Sequence, residues 1–582
     1  MFRLWTVYVK LVLIVCLAQV HAQNEITEQL NANSVSNLYS MTLDIMQVVF
    51  TLGMFQNVTI PVNGSVEVNV SRIPAEVAFV ILQFHTQYRN ATISYTRVPA
   101  YGFSVTTVDS GLLFPLSPDQ LTLSFFLLSP SGDSVAGIGV ILPYSRTDPV
   151  PGACNLEFPL ENDPNIYVFY NLYETIIRFA PANIGYARGN SPPACDLETD
   201  PNTRWRLEYD VYQYFLPEND LSEQSLISGM ETVATVPGMV ENGRKMMTLS
   251  SRDKSLVSFN SIPGQGVIYS IVVRDPVYNS SASYIPVHTY ACSFTSTLDG
   301  CTMLGRTSTK VFFTITGLAG LFVCFLGHRF FKCELFCLGF GFGAFFFFVL
   351  ITRTTTLDYD IRLALTALIG VVGGVGLVMT WWRFGSVMAC VIVAGLTFSF
   401  LISSIIFFTP LGDLSVFHND AVFWVTFSCM VLVMPLFFIR WPRVGNILTC
   451  GVVGAYMVVL AVNAYTYTSL SYIMLDILKR LLNEDFSRAF ISVPLQQIDF
   501  ILMSVWVILA VWGITLQLYR ERSRPFFPPS PYVLWCQERE RRKTNVLDPS
   551  HHMPSLPARL LARLRQLTRH QEPAGERTPL LL

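Results

Sequence analysis

Charge is scarce in this sequence. Only 14% of its residues are Asp, Glu, Lys or Arg, against about a quarter in soluble globular domains. With 51% hydrophobic residues and a mean hydropathy of +0.42, the composition excludes a wholly soluble chain. Catalytic signatures are absent as well. No H-E-x-x-H, G-x-S-x-G or EF-hand loop occurs, so no catalytic residue, cofactor or metal is expected. No nucleic-acid partner is expected either.

Ionisable residues are also missing from the centres of the long apolar segments. Seven such segments are read at 311–327, 335–351, 361–382, 386–408, 421–439, 444–465 and 499–518. Each has about the length that crosses a 30 Å hydrocarbon core. Glu334, Arg362 and Asp499 fall only at their ends. Buried charge marks most ion-coupled transporters and membrane hydrolases, so its absence argues against both. A G-protein-coupled receptor fits poorly, since no D-R-Y follows the third segment and no N-P-x-x-Y occurs in the seventh. A channel or passive carrier using Asn463, Ser403 and Ser404 is the rival reading.

What the chain does contain divides into an acidic front and a basic back. Residues 23–308 hold 14 basic and 26 acidic side chains, and residues 519–582 hold 12 and 6. Residues 1–22 read as a signal peptide: a short apolar run, Leu11 to Ala18, precedes a small-residue cleavage site at residues 20–22. Five N-x-S/T sequons, at Asn57, Asn63, Asn69, Asn90 and Asn279, all precede Val311, which fits a glycosylated lumenal front. Four of the 12 cysteines fall there: Cys154, Cys195, Cys292 and Cys301. In an oxidising compartment they predict two disulfides with three pairings open; nearest neighbours, Cys154–Cys195 and Cys292–Cys301, are favoured.

The front reads as two β-rich domains, 23–148 and 149–308, of tandem β-sandwich or jelly-roll type. Alternation at Val66–Val70 marks a half-buried strand, and residues 77–84, 91–98, 121–128 and 137–142 are read the same way. In the second unit, residues 204–215 and 266–273 read as strands. Leu221–Val233 reads as a helix with Asp220 as N-cap and Glu223 at the capping-box position. The two units end in similar Pro/Cys segments, read as coincidence rather than duplication. The acidic clusters at 161–163 and 218–220 could ligate calcium, but their neighbouring prolines favour turns or caps. His85 and His288 are read as packing or hydrogen-bonding residues.

The membrane domain, 309–518, carries Arg329, Lys332, Arg383, Arg440 and Arg443 in alternate short loops. The positive-inside rule then puts the N-terminus outside and the tail in the cytoplasm. Loop 466–498 is the exception; its part Leu470–Leu482 predicts an amphipathic helix lying on the lumenal face. The pattern Arg383-x-Gly385-x4-Cys390 repeats at Arg443-x-Gly445-x4-Cys450 and more loosely near Arg329. That periodicity predicts three related hairpins plus a lone seventh helix. Gly339, Gly341, Gly343, Gly370 and Gly374 are read as helix-packing positions, not as a nucleotide loop.

The tail, 519–582, holds a basic PxxP stretch at 522–528, of the form Src-homology-three domains bind but read mainly as a stiff exit segment, a basic run at 539–543 that favours anionic lipid, and a basic amphipathic segment at 557–569, suited to membrane lipid or a calmodulin-like partner. It ends in Glu576-x3-Leu580-Leu581, the acidic dileucine form of a signal read by sorting adaptors.

Longer stretches carry a resemblance. Residues 148–158 (DPVPGACNLEF), 179–189 (FAPANIGYARG), 209–221 (YDVYQYFLPENDL), 417–429 (FHNDAVFWVTFSC) and 576–582 (ERTPLLL) resemble the seven-transmembrane superfamily member three family of vertebrate multi-pass membrane proteins, nearly end to end. The resemblance implies a non-enzymatic surface or endomembrane protein. It also implies a pro-survival role that dampens endoplasmic-reticulum stress, with effects on insulin-secreting cells, and it supplies no catalytic residues. The expected function is a receptor-like or scaffolding membrane glycoprotein whose lumenal β domains bind an unidentified protein or ligand. It would sit at the plasma membrane, with endosomal or lysosomal delivery.

Overall fold

A computed structural model describes residues 45–544 except 63, 131, 172, 197–201, 219, 295–300, 302–306, 484, 492, 524–526 and 529, together with residue 561. The signal segment 1–22, Asn63, most of 557–569, and Glu576, Leu580 and Leu581 lie outside the described residues.

The first β-sandwich pairs two sheets. One runs β1 (Ile45–Phe50), β3 (Ser65–Ser71), β8 (Thr122–Leu128), β5 (Ala91–Ser94), β6 (Ser104–Thr107); the other runs β2 (Gln56–Ile60), β9 (Val135–Ser145), β4 (Val77–His85), β7 (Asp109–Pro115). All pairings are antiparallel except β1 with β3. The alternation in β3 sends Val66, Val68 and Val70 into the core and leaves Glu67 and Asn69 half-buried. The strand read at 91–98 stops at Ser94, because the Ser94 hydroxyl accepts from Thr96 N and turns the chain.

The expectation that residues 77–84 form a half-buried strand is corrected. All nine residues of β4 are buried. Val80, Leu82 and Phe84 face the first sandwich core. Phe79 and Ile81, pointing the other way, join a second core built mostly from the next domain. Period-two geometry explains the split: successive side chains leave opposite faces, and here both faces are covered.

That second sandwich holds β10 (Ile166–Tyr170), β11 (Glu174–Phe179) and β14 (Leu256–Asn260) in one sheet. The facing sheet runs β13 (Arg244–Ser250), β12 (Glu208–Phe215), β15 (Val267–Asp275), β16 (Ser280–Ser283), with β17 (Val287–Thr289) also on β15. Two helices, α1 (Glu223–Val233) and α2 (Val236–Asn242), cover the outer face of β12 and β15 through Leu226, Met230, Val233 and Met239. The cap of α1 differs from expectation. Ser222, not Asp220, accepts from Ser225 N, while the Asp220 carboxylate accepts from Ser222 N. Residues 204–206 form a short 3₁₀ turn before β12.

Among the described residues, seven helices are long and apolar enough to cross a membrane: α3 (Thr307–Leu326), α4 (Phe331–Thr354), α5 (Tyr359–Phe384), α6 (Val387–Phe408), α7 (Asp420–Arg440), α8 (Pro442–Thr466) and α10 (Gln497–Glu521). Between the last two lies α9 (Tyr472–Leu482), and α11 (Pro531–Thr544) follows. Most of the helices outrun the segments read from hydropathy. Hydropathy marks only the apolar stretch, whereas the helical backbone continues until a cap stops it, as Gly385 does at φ +65°.

Packing does not follow the predicted hairpins. The extensive contacts join α4 to α5, α6 to α7, α8 to α10, and α3 to the distant α8. Glycine explains two of these contacts. A Cβ on Gly339 would lie 2.7 Å from Gly373 O, and one on Gly454 would lie 2.7 Å from Gly320 O. Gly341, in contrast, faces open space.

Candidate functional site

The two halves of the chain meet at α9. Its apolar face packs into the bundle together with the turn before it: Leu470 of the turn and Ile473 join Leu401, Tyr456 and Val459, and Ile477 joins Phe407, Phe423 and Phe427. The sequence predicts an amphipathic helix on a membrane surface; the structure corrects this. The polar face is buried as well, with Asp476, Lys479 and Arg480 at 4, 7 and 5% exposure. The second β-sandwich lies over it.

One amide makes the connection. Asn260, the last residue of β14, donates from Nδ2 to Asp476 Oδ1 at 2.8 Å and accepts at Oδ1 from Lys479 Nζ at 2.6 Å. Lys479 Nζ also donates to Ser261 O at 2.7 Å. A carboxamide can do both because it carries a donor and an acceptor. Burial pushes the Asp476 carboxyl up and the Lys479 ammonium down, and each neighbour's opposite charge limits the shift. Asp476 Oδ2 keeps no hydrogen-bond partner.

Further bonds tie the loops around this clamp. Arg480 turns away from the sheet, donating from Nε to Asp420 Oδ1 at 2.9 Å and from Nη2 to Phe417 O at 2.7 Å, with its guanidinium 3.8 Å over the Phe423 ring. Phe490 extends β14 by one parallel bridge: its N–H donates to Ser258 O and its carbonyl accepts from Asn260 N. Asp499 lies at the start of α10, where its two oxygens accept from Ser469 N at 2.8 Å and Gln496 N at 3.0 Å.

Beside the clamp opens a cleft of about 350 Å³. Met247, Leu256, Val257 and Phe490 form its apolar wall; Asp413, Ser415, His418 and Arg488 form the other. Asp413 Oδ1 accepts from Ile491 N at 2.7 Å, and burial raises its carboxyl. Burial lowers the His418 imidazole, whose Nε2 has no hydrogen-bond partner. Arg488 and Ser415 are exposed at the rim. Apolar walls with a few placed polar groups are the usual make-up of a binding cleft. The arrangement can hold a ligand.

The sequence-predicted sites are scattered, not assembled. Asn57, Asn90 and Asn279 are exposed, and Asn69 is half-buried. Cys154 is paired with Cys195, and Cys292 with Cys301. The acidic cluster at 161–163 serves structure: Asp163 accepts from the Asn165 amide and from the Tyr167 hydroxyl. His85 and His288 converge on a single carboxylate, Asp109, which sequence reading missed. Asn463 is taken up by its own loop, accepting from Thr468 N at 2.6 Å, and Ser404 Oγ donates to Phe400 O. The absence of buried charge also needs correction. Glu334 and Asp499 stand at helix ends yet are 1 and 0% exposed, and Glu334 accepts from Asn446 Nδ2 at 2.9 Å.

The clamp was missed because Asn260 is remote in sequence from α9. The available signal was the 476, 479, 480 spacing, which puts opposite charges on one helical face.

Comparisons with known proteins bear on both halves. Residues 46–144 match the family model described as TM7SF3-like, N-terminal immunoglobulin-like domain; residues 149–295 match TM7SF3-like, second immunoglobulin-like domain; residues 313–518 match the TM7S3/TM198-like domain. Both β units therefore match the same class of domain, against the reading of their similar ends as coincidence. Transmembrane 7 superfamily member 3 of Homo sapiens is 53% identical over 92% of this chain and 94% of its own length. The Mus musculus protein of that name is 54% identical over 92% of this chain and 95% of its own. A solved Bacteroides uniformis β-glucuronidase 2 aligns at 10% identity over 39% of this chain and 25% of that one, with a TM-score of 0.17, too low to indicate a shared fold.

Proposed function

The chain belongs to the transmembrane 7 superfamily member 3 family of multi-pass membrane proteins, and from that premise we propose a receptor-like, non-enzymatic role. The immunoglobulin-like domains bind a lumenal protein or ligand at the cleft beside α9, and α9 relays occupancy to the helix bundle. One observation carries this reading. The cleft wall and the Asn260 clamp share strand β14, so a ligand pressing on Leu256 or Val257 acts on residues that continue directly into the clamp.

The orientation follows the charge pattern: a cleaved signal peptide, glycosylated β domains on the lumenal or extracellular side and a cytoplasmic basic tail. Glu576, Leu580 and Leu581 deliver the protein from the plasma membrane to endosomes or lysosomes through an adaptor. The cellular outcome is attenuation of endoplasmic-reticulum stress and the unfolded protein response, in favour of survival.

The test is rescue. Cells lacking the protein and exposed to a lumenal-calcium-depleting agent receive the wild-type chain or Ser415→Trp, which fills the cleft from its exposed rim. The expected result is survival with the first and not with the second, at equal membrane abundance. Full rescue by Ser415→Trp would remove the cleft from the proposal. The rival channel reading is tested in liposomes: a robust ion flux through the purified wild-type chain would favour it.

A further inference from the structure

Between the two immunoglobulin-like domains lies a buried cluster of His85, Asp109 and His288. Asp109, the first residue of β7, accepts at Oδ1 from His85 Nδ1 at 2.8 Å. At Oδ2 it accepts from His288 Nδ1 and from the His288 backbone N–H, both at 2.7 Å. His288 sits on β17 of the second domain. Its other ring nitrogen, Nε2, lies 2.9 Å from the carbonyl oxygen of Gln87, in the loop after β4.

Both nitrogens of His288 therefore face atoms that can only accept. An ionised carboxylate has no proton to donate, and neither has a peptide carbonyl. Neutral imidazole carries one N–H, enough for only one of these contacts. The geometry requires two, which is the imidazolium form. His288, Asp109 and His85 are at most 5% exposed, so no bulk water replaces a lost bond cheaply.

We propose that His288 is a proton-operated latch between the two immunoglobulin-like domains, closed when its ring carries two protons and loosened when it carries one. The second proton cross-links the Gln87 loop and β7 of the first domain to β17 of the second. Deprotonation leaves a nitrogen lone pair against either the carboxylate or the carbonyl, and the interface must shift to relieve it.

The surroundings set where this occurs. Burial by itself lowers the His288 pKa, but the Asp109 charge and the hydrogen bonds to Asp109 and Gln87 outweigh it, so the net direction is up from 6.5. Burial would raise Asp109, yet the His288 charge and the two imidazole bonds hold it at about 2. The other groups facing the cluster are Tyr290, whose ring stands edge-on to His288, and Glu223 of α1, which lines a small gap with His85 and Gln87. Asp220 acts on Tyr290 from the start of the helix. The signs follow. His288, with its pKa raised on folding, stabilises the interface fully below 6.5, and that contribution is lost as pH rises through the folded value. Asp109, with its pKa depressed, contributes above 3.8, and that contribution is lost as pH falls toward about 2. The latch is closed in between, over the acidic range.

The experiment uses the full chain in detergent. Hydrogen exchange at the imidazole C2 position reports the pKa of each histidine, and amide exchange, corrected for its intrinsic pH dependence, reports the interface. His288 should titrate above 6.5, and amide protection in β7 and β17 should fall about tenfold through the same midpoint, the order expected for one buried hydrogen bond. Asp109→Asn should move that midpoint below the wild-type value, and His288→Gln should abolish the pH dependence. A His288 pKa at or below 6.5, or wild-type interface protection that does not change with pH, would overturn the proposal. Both readouts need only the wild-type protein.

Discussion

Replacing Asn260 with Leu tests the connection between the β domains and the helices most directly. The two side chains have the same branched shape, with two atoms on Cγ, and the backbone N–H of Asn260 keeps its bond to Phe490 O. Only the bridging amide is lost. Asp476 Oδ1 loses its donor, and Lys479 Nζ loses one of two acceptors. Hydrogen bonds to charged groups contribute about 1.5–3 kcal/mol each, so the pair is worth ~3–6 kcal/mol, which spans the cost of uncovering a buried charge. At about 1.4 kcal/mol per factor of ten, the junction should open about two to four powers of ten more often. A single melting temperature is a poor gauge of so large a multidomain chain. Amide exchange in α9 measures the local opening itself. Asn260→Asp should recover part of the protection, since it keeps an acceptor for Lys479 while facing Asp476 with like charge. If α9 in Asn260→Leu exchanges within about threefold of wild type, less than one hydrogen bond's worth, the amide is not what joins the two halves.

Other outcomes follow from the same coordinates. Gly454→Leu should destabilise the detergent-solubilised bundle by about 1–3 kcal/mol or more in thermal denaturation, because the atoms met at 2.7–2.8 Å are Gly320 O and Cys324 N, which cannot rotate aside. Gly341→Ala, meeting nothing within 4 Å, should be neutral or slightly stabilising in the same assay. Thr59→Ala and Ser281→Ala remove the Asn57 and Asn279 sequons; each should shift the gel mobility of the expressed protein by one glycan, with no difference remaining after glycosidase treatment. Replacing Leu580 and Leu581 with Ala should enrich the protein at the cell surface in quantitative imaging, and an unchanged distribution would discard the dileucine signal.

The division into a β region and seven helices was legible because both rest on local regularities. Helix-length apolar runs and period-two strands such as Val66–Val70 are set by short-range side-chain geometry. The cysteine pairing was only favoured, with three pairings open, and the fold joined the nearest neighbours, Cys154 with Cys195 and Cys292 with Cys301. Features that depend on two remote segments were not legible. Whether β4 was covered on one face or two turned on the domain that follows it, and only stacking brought Tyr144 to Ser283. His85 and His288 were visible as isolated histidines; Asp109, which binds both, shows no sequence mark of its partners. The polar face of α9 looked solvated because charge normally is. Tertiary structure buried it by supplying Asn260, from 216 residues away, and a buried charge persists only where such a partner meets it. Sequence alone determined which segments become helices and strands. The fold decided which of their polar groups face water and which hold the two halves of the protein together.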